Sequence, residues 1–377
     1  MEHPIRSTSH QGQTNRRSFL KSGAVAAGTA ALGARLLTSP RAVSAQEKSG
    51  RLTPGDAALL RFAAAAEILE TDFWVQYNEL GGVPNTSEVP GGSGNKPYTT
   101  ALQALDGDMP QYVHDNTDDE FTHQNFLNAY LVSKRATPVS LEQFRTLAGS
   151  TATGSSRKLR LTNLTQLTVD TSWWVRYRNG DHNPDLEPGF VFQQAVPDLA
   201  KGQHTAIPRT DADVSDPNFL QAIANTAGFH FATIEQGGTS LYPAMAQRAT
   251  HPEVLRILIS IGPTETMHFQ TWQDKAGNAP MLTAVDPVTA VSVSFPDLTP
   301  DSTSEDLKAN LIMPEPCPFI SADLPPCSVI RPTQTKDIAK GVVKFLTDMG
   351  LFIGQPPAFF AFIQELAEDA DNARRGF

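Results

Sequence analysis

Four stretches of the chain carry apolar residues at the three- and four-residue spacing of an amphipathic helix. They span about residues 54–80, 109–135, 217–248 and 252–275. The first opens at Thr53-Pro54, and the second opens at Asp108 just before a proline, two arrangements typical of helix starts. The pattern predicts an all-α core built from four long helices.

Two prolines fall inside these periodic stretches. Pro243 lies in the third and Pro263 in the fourth. A proline inside a helix removes one backbone hydrogen bond and clashes with the preceding turn. We therefore expect both helices to kink or divide at these positions.

The segments outside the four stretches have a different composition. Residues 136–216 are rich in turn formers and include a β-like run, Leu159–Val169, so we expect a crossover insertion that forms a lid or small subdomain. Residues 278–377 combine Pro-rich turns and a strand-like run, 290–295, with a helical tail. They predict a partly irregular, partly β C-terminal extension that ends in helices, after a helical domain of residues 46–277.

Acidic residues and histidines interrupt the apolar faces of the four predicted helices. The residues are Glu67, Glu120, His123, Glu235, Glu265 and His268. Glu120 with His123, and Glu265 with His268, have the spacing Glu-x-x-His. Side chains three residues apart lie on one face of a helix, where a carboxylate and an imidazole can bind one ion. Two such pairs with two further glutamates are the ligand set of a two-metal carboxylate site.

The positions of these residues along the helices are consistent with a single site. Glu235 and Glu265 each lie 15 residues from Thr250, the break between the last two helices. Glu67 and Glu120 lie at nearly matching distances from the connection between the first two helices. In antiparallel pairs all four glutamates would therefore meet at about one level.

The remaining histidines are not predicted to bind metal. His230 lies on the third helix, where a satisfied core or rim histidine is the favoured interpretation. The others without a partner at ligand spacing are His114, His182, His204 and His251. The pair Trp173-Trp174 is interpreted as core.

The N-terminal segment looks like a twin-arginine signal. Arg16 and Arg17 precede a weakly apolar, Ala- and Gly-rich run at residues 23–37. The alternative, a membrane anchor, is disfavoured because the run is shorter than the ~20 residues that span a bilayer and contains Arg35. We expect residues 1–45 to be removed, no transmembrane anchor in the mature protein, and a periplasmic or extracellular location.

The charge of the chain excludes one class of partner. The formal net charge is −10, and the first 45 residues hold six of the 30 Lys and Arg but one of the 40 Asp and Glu. The mature chain is therefore more acidic still and keeps no basic stretch that could neutralise phosphates. We expect no nucleic-acid partner.

The chain has two cysteines, Cys317 and Cys327, in a Pro-rich segment. In an oxidising exported compartment such a pair predicts a short disulfide loop. Two unpaired thiols are the alternative.

Three segments of the chain, residues 67–74, 119–127 and 235–242, with the following Glu265-Thr-Met-His268, resemble the ferritin-like domain family. That family includes exported bacterial proteins and plant desiccation-related proteins. The resemblance implies a four-helix bundle with a long crossover between helices two and three. It also implies two iron or manganese ions, which Glu67 and Glu235 would bridge or cap while each Glu-x-x-His pair anchors one.

The resemblance also separates two candidate ligands on the first helix. In ferritin-like bundles an aromatic residue commonly follows the unpaired glutamate by seven positions. Tyr242 stands in that relation to Glu235, and Trp74 to Glu67. We therefore choose Glu67 as the ligand, keep Glu70 as an alternative, and expect Tyr242 and Trp74 beside the ligands.

These observations predict an exported di-iron or dimanganese carboxylate protein that acts on dioxygen or peroxide. The reaction could be metal oxidation, peroxide removal or oxidation of a small substrate. A non-catalytic stress or desiccation-related envelope protein that uses the bundle as a scaffold is the alternative. An oligomer is possible, but the long insertion and extension would obstruct the subunit contacts of a ferritin cage.

Overall fold

The computed structural model describes residues 50–84, 87–90, 92–176, 189–299, 314–315, 323, 327–328 and 336–374. In chain order the α-helices are α1 (Pro54–Gly81), α2 (Lys96–Leu102), α3 (Met109–Ser133), α4 (Trp173–Arg176), α5 (Pro217–Ala246), α6 (Pro252–Ala276), α7 (Ile338–Asp348) and α8 (Pro357–Asn372). Short 3-10 helices lie at Glu142–Phe144 and Asp211–Val214. The fold is mostly helical, in agreement with the predicted all-α core.

Local sequence fixes the starts of three of the four long helices, whereas the Asp108 side chain before α3 makes no capping hydrogen bond. Thr53, Asp216 and His251 each precede a proline, and the side chain of each accepts a hydrogen bond from a backbone N–H in the first turn. These bonds satisfy N–H groups that have no partner within the helix, while the proline lacks one. α1, α5 and α6 therefore begin where the sequence carries both signals.

The long helices pack as two antiparallel pairs. Between α1 and α3, Thr71 Oγ1 donates to the Glu120 carbonyl oxygen over 3.1 Å, and Thr117 Oγ1 donates to the Trp74 carbonyl oxygen over 3.3 Å. Residue numbers rise along one helix as they fall along the other, so the two helices run in opposite directions.

The second pair, α5 and α6, shows the same relation through two glycines. A Cβ atom at Gly238 would lie 2.8 Å from Glu265 Oε2, and one at Gly262 would lie 2.7 Å from Tyr242 Cβ. Each helix therefore supplies a glycine where the other presents a side chain. The missing Cβ atoms permit this close approach.

The two internal prolines do not divide the helices. Pro243 lies within continuous α5 and Pro263 within continuous α6, so of the two expected outcomes, a kink or a division, the division does not occur. Pro243 lies beside the Gly262 contact, where the two helices approach closely. The packing between the helices outweighs the one hydrogen bond that each proline removes.

Aromatic side chains join the two helix pairs in one core. Trp74 of α1 stacks on Phe231 of α5 and on Trp272 of α6, with ring centroids 4.8 and 5.3 Å apart. Asp56, in the first turn of α1, accepts hydrogen bonds from the backbone N–H groups of Thr250 and His251. The start of α1 is thereby fixed against the connection between α5 and α6.

The crossover insertion contains no strand in the part that the structure describes. The prediction of a β-like run at Leu159–Val169 is wrong, because this run forms only single-residue bridges. The backbone N–H groups of Leu161 and Thr162 instead donate to the Asp72 carboxylate of α1, each over 2.9 Å. A side chain of the helical core thus binds backbone groups that a neighbouring strand would otherwise satisfy.

Trp173 and Trp174 form the short helix α4 within the same insertion, and both side chains are buried. Trp173 Nε1 donates to Thr233 Oγ1 of α5 over 2.9 Å. The pair is therefore part of the core and holds the insertion against α5.

The C-terminal extension contains two small antiparallel sheets. β1 (Leu282–Val285) pairs with β2 (Ser292–Phe295), and β3 (Pro314–Glu315) pairs with β4 (Cys327–Ser328). α7 then contacts α5, and α8 packs on α1. Within the described residues, no helix is both long and apolar enough to cross a bilayer.

Three predictions fall on positions that the structure does not describe. They concern the signal at residues 1–45, His182, and the disulfide, since Cys317 and the side chain of Cys327 lie outside the described residues.

Candidate metal centre

The six predicted ligands lie together where the two helix pairs face each other. They form two overlapping groups whose potential ligand atoms all lie within 4.8 Å of one another, and either group could hold a metal ion. The first group is Glu67, Glu120, His123 and Glu265, and the second is Glu120, Glu235, Glu265 and His268. Glu120 and Glu265 belong to both groups, whereas Glu67 and Glu235 belong to one each. This arrangement favours capping, and not bridging, for Glu67 and Glu235.

In the first group, three carboxylates converge on one imidazole nitrogen. His123 Nδ1 lies 2.9 Å from Glu120 Oε2, 3.3 Å from Glu67 Oε2 and 3.4 Å from Glu265 Oε1. One nitrogen carries at most one proton, so it cannot donate well to three oxygens at once. A cation among these atoms would satisfy all of them.

The second group is built around His268. Its Nδ1 lies 3.2 Å from Glu120 Oε1 and 3.3 Å from Glu235 Oε2, and its Nε2 lies 3.0 Å from Asp119 Oδ2. A carboxylate on the far ring nitrogen is the arrangement that orients a metal-binding histidine. No role is predicted for Asp119 from the sequence. Its position directly before the candidate ligand Glu120 was the feature of the sequence that could have indicated one.

Asn116 is a second residue that the sequence did not reveal. Its Nδ2 donates to Glu120 Oε1 over 2.8 Å and to Glu235 Oε1 over 3.0 Å, while its Oδ1 accepts from Trp272 Nε1 over 2.7 Å. Asn116 therefore ties one glutamate from each helix pair to a buried tryptophan. The available signal was its spacing, one helical turn before Glu120.

The two aromatic residues expected beside the ligands have different surroundings. The Tyr242 hydroxyl donates to Glu67 Oε1 in a short hydrogen bond that links α5 to α1. Trp74 contacts other aromatic rings, and its Nε1 has no hydrogen-bond partner among the described residues. Tyr242 thus touches a candidate ligand directly, and Trp74 faces the aromatic core.

Several acidic oxygens at this centre lack the partners that burial demands. The four glutamates of the two groups are at most 1% exposed. Within the described part of the chain, both oxygens of Glu265 and Oε2 of Glu67 accept no hydrogen bond. An unsatisfied buried polar atom costs about 1–3 kcal/mol, and more when it is charged. These atoms fit a bound cation better than an empty apolar core.

The same surroundings shift the proton affinities of the site. Burial raises the pKa of Glu120 to about 7, against the lowering effect of the histidine hydrogen bonds. Burial and then the neighbouring carboxylates raise the pKa of Glu265 well above its usual range. Although burial alone would lower it, the Glu67 and Glu120 carboxylates raise the pKa of His123 to about 11. Without a cation, the cluster therefore holds protons in place of metal.

Glu70, the alternative ligand, belongs to neither group. Its side chain is half-buried, and its Oε1 has no hydrogen-bond partner in the described part of the chain. Burial and the charges of nearby glutamates raise the pKa of Glu70 well above its usual range. It also lines a small cavity of about 40 Å³ with Glu67, Gly237 and Tyr242, on the side covered by α7.

The described histidines outside the two groups have other partners. His230 Nδ1 lies 2.9 Å from the Tyr77 hydroxyl, and His114 Nε2 lies 3.4 Å from Glu88. His204 contacts backbone carbonyl oxygens, and His251 caps α6. None of these four belongs to a potential metal group.

Comparison with known proteins identifies the N-terminal segment. The profile described as TAT (twin-arginine translocation) pathway signal sequence matches residues 13–33. No curated protein and no solved structure matches the chain. The chain therefore carries a twin-arginine signal, which directs it out of the cytoplasm to a periplasmic or extracellular location.

Proposed function

We propose that this protein is an exported dinuclear carboxylate protein that binds two iron or manganese ions and reacts with dioxygen or peroxide. The observation that carries the proposal is the pair of overlapping ligand groups, which share Glu120 and Glu265 and leave buried carboxylate oxygens without hydrogen bonds among the described residues. On this view α1, α3, α5 and α6 form a ferritin-like four-helix bundle.

Charge supports two ions in place of one. The two groups contain four glutamates, and none of the described lysine or arginine side chains forms an ion pair with them. Two divalent cations would balance four carboxylates while both histidines bind as neutral imidazoles. A single divalent cation would leave two of the four carboxylates to be neutralised by protons.

The donor set limits the choice of metal. Carboxylate oxygens with one imidazole nitrogen per ion suit iron and manganese, while the absence of thiolates from both groups is unlike a structural zinc site. When bound, two neighbouring redox metals supply electrons to dioxygen or peroxide and polarise its oxygen atoms.

The chain's own residues would position the ligands and exclude bulk water. Asn116 holds Glu120 and Glu235 by hydrogen bonds, and Tyr242 holds Glu67. Asp119 accepts from His268 Nε2, which leaves Nδ1 free to bind an ion. The small cavity beside Glu70 would admit a molecule about the size of water.

Metal analysis of anaerobically purified protein tests the proposal. We expect near two iron or manganese ions per chain, and a change in absorbance when air or peroxide is added to the iron-loaded form. Protein that retains no metal after loading with Fe(II) or Mn(II) and desalting would contradict it. The bundle would then be a scaffold, as in a non-catalytic envelope protein.

A further inference from the structure

A continuous line of buried aromatic side chains leads away from the candidate metal centre. It begins at Asn116, which donates to Glu120 and Glu235 and accepts from Trp272 Nε1 over 2.7 Å. Trp272 is therefore only one hydrogen-bonded side chain away from two candidate ligands. Its ring also stacks on Trp74, with centroids 5.3 Å apart and planes at 26°.

From Trp74 the line continues to Tyr77 and ends at His230. The centroids of Trp74 and Tyr77 are 5.9 Å apart, and the Tyr77 hydroxyl lies 2.9 Å from His230 Nδ1. Each of these rings, including Trp272, is at most 1% exposed. Phe231 packs against both Trp74 and Tyr77, with centroids 4.8 and 4.6 Å away, and closes the line off from water.

The direction of the final hydrogen bond follows from counting donors and acceptors. His230 Nε2 has no partner among the described residues. If Nδ1 carried the proton, the Tyr77 O–H and the Nε2 lone pair would both be unsatisfied. If Nε2 carries it, only the Nε2–H is unsatisfied. The second arrangement costs less, so Tyr77 donates to the Nδ1 lone pair.

His230 is suited to accept a proton and is not needed as a ligand. It belongs to neither potential metal group. Burial lowers the pKa of His230 to about 3, which makes the ring a weaker base than a free histidine but keeps it neutral, so the Nδ1 lone pair is available to the much stronger acid that an oxidised phenol becomes. Tyr98, equally buried, donates instead to the Ala206 carbonyl oxygen over 2.7 Å, and a carbonyl cannot take up a proton at neutral pH.

We propose that Tyr77 is a redox-active tyrosine, connected to the metal centre through Trp74 and Trp272, with His230 as its proton acceptor. Tyr77 loses one electron, which passes along the two tryptophans to the oxidised centre, and its phenolic proton moves to His230 Nδ1. The products are a neutral tyrosyl radical, an imidazolium and a centre reduced by one electron. The proposal rests on the proposed function for its oxidant, dioxygen or peroxide acting at the metals.

The chemistry of phenols explains why the base is required. A phenol that loses an electron becomes a very strong acid, so its oxidation at neutral pH is feasible only when the proton leaves together with the electron. A positioned base typically accelerates such a proton transfer by about 10²–10⁴-fold. The Tyr77–His230 pair supplies this base inside a region that excludes water.

An experiment on the metal-free protein tests electron transfer between the tryptophans and Tyr77. Laser-flash photoionisation of the indole rings oxidises buried tryptophan without a reagent that must enter the core, and the transfer to tyrosine is then followed by absorbance. In metal-free wild-type protein we expect tryptophan radicals to decay into a tyrosyl radical by a first-order process. Tyr77→Phe should abolish this process, and the matched control Tyr98→Phe should leave its rate unchanged.

Two further variants distinguish loss of the proton acceptor or of the electron path from loss of folding. His230→Gln keeps a hydrogen-bond acceptor but removes the base, so it should slow the transfer by about a hundredfold. Trp74→Phe should remove the transfer while the protein remains folded by circular dichroism. No transfer in wild-type protein, or equal transfer in Tyr77→Phe, overturns the proposal.

The loaded protein provides the second measurement. After Fe(II)-loaded wild-type protein is mixed with peroxide and frozen, electron paramagnetic resonance should show a tyrosyl radical that ring-deuterated tyrosine alters. The signal should be lost in Tyr77→Phe and kept in Tyr98→Phe. Two bound metals without a radical would refute electron transfer from Tyr77 through Trp74 and Trp272, but would leave the proposed function standing. Failure to bind metal would refute the proposed function. The metal-free measurement would then decide whether Tyr77 exchanges electrons with the tryptophans.

Discussion

Glu67 and Glu70 lie one helical turn apart on α1 and have different surroundings. Glu67 accepts from Tyr242 and contacts His123 at 3.3 Å, whereas Glu70 Oε1 has no partner in the described part of the chain. Glu70 lies on the side of the small cavity, outside both ligand groups. At the scale of single residues, these surroundings therefore favour Glu67 over Glu70 as the ligand.

The first prediction compares these two glutamates. Glu67→Gln should weaken metal binding by about a hundredfold, in the range found when metal-site partners are removed. Glu70→Gln, the matched control, should change metal affinity little because Glu70 lies outside both ligand groups. Metal titration followed by analysis after desalting measures both. If the Glu70 variant loses more metal than the Glu67 variant, the ligand is Glu70.

The second prediction concerns the two histidines of the site. Because both groups share Glu120 and Glu265, the loss of one anchor should weaken both ions. We expect His123→Ala or His268→Ala to reduce metal from near two ions per chain to well below one, measured by elemental analysis. His230→Ala is the control and should keep its metal. Occupancy of one full ion in either site variant would show that the ions bind independently.

At the scale of helices, α5 carries adjacent glycines with unlike environments. A Cβ atom at Gly238 would meet Glu265 at 2.8 Å, whereas one at Gly237 would meet nothing within 4 Å. Gly238→Ala should push the Glu265 carboxylate out of both groups and lower metal occupancy. Gly237→Ala, the matched control, should keep its metal and gain up to about 1 kcal/mol from helix propensity. Equal occupancy in the two variants would contradict this reading of Gly238.

Local signals in the sequence were sufficient for the long helices but not for all elements. Thr53-Pro54 and His251-Pro252 mark helix starts because a cap and a proline act within a single turn. The short helix α2 has the same signals, Asn95 and Pro97, but its seven residues are too few to show a periodic face. No division occurs at Pro263, and the packing between helices that keeps α6 continuous is not visible in a local pattern.

The candidate site shows the same limit. The Glu-x-x-His spacing was visible because its residues lie on one turn of one helix. The contacts of Asn116 with Glu235 and of Tyr77 with His230 join residues more than 100 positions apart. Such contacts depend on the rotation of each helix about its axis, which the periodicity of a single sequence fixes only coarsely.

At the scale of the whole molecule, the protonation of the site makes both stability and metal binding depend on pH. The pKa of Glu120 rises from 4.5 to about 7 and that of His123 from 6.5 to about 11 in the folded, metal-free protein. Both groups bind protons more tightly when folded, so their contribution to stability is complete at low pH. The Glu120 contribution is lost as pH rises to about 7, and that of His123 as pH rises to about 11.

Metal binding has the opposite dependence, since carboxylates must lose their protons before they bind ions. The difference in Tm between metal-loaded and metal-free protein should therefore grow from about pH 5 to about pH 8. Thermal melts of the two forms at matched pH measure it, and contributions from distant groups cancel in the difference. A difference that stays constant or shrinks with rising pH would argue against a carboxylate-bound metal.

Export provides a further prediction for the whole chain. Replacing Arg16 and Arg17 together by lysine should leave the precursor in the cytoplasm, because the twin-arginine signal at residues 13–33 would be lost. Cell fractionation with an antibody measures this, and Lys21→Arg is the control because it keeps the pair. Normal export of the double variant would contradict the assignment of the route.

The contact between α8 and α1 has a consequence for where the metal is acquired. α8, near the end of the chain, packs on α1, and Asp371 forms an ion pair with Arg248 of the segment after α5. The packing around α1, which carries Glu67, is therefore complete only after residues 357–372 have been synthesised. The twin-arginine route carries proteins that have already folded. On the proposed function, metal would therefore be bound in the cytoplasm, before the protein is exported.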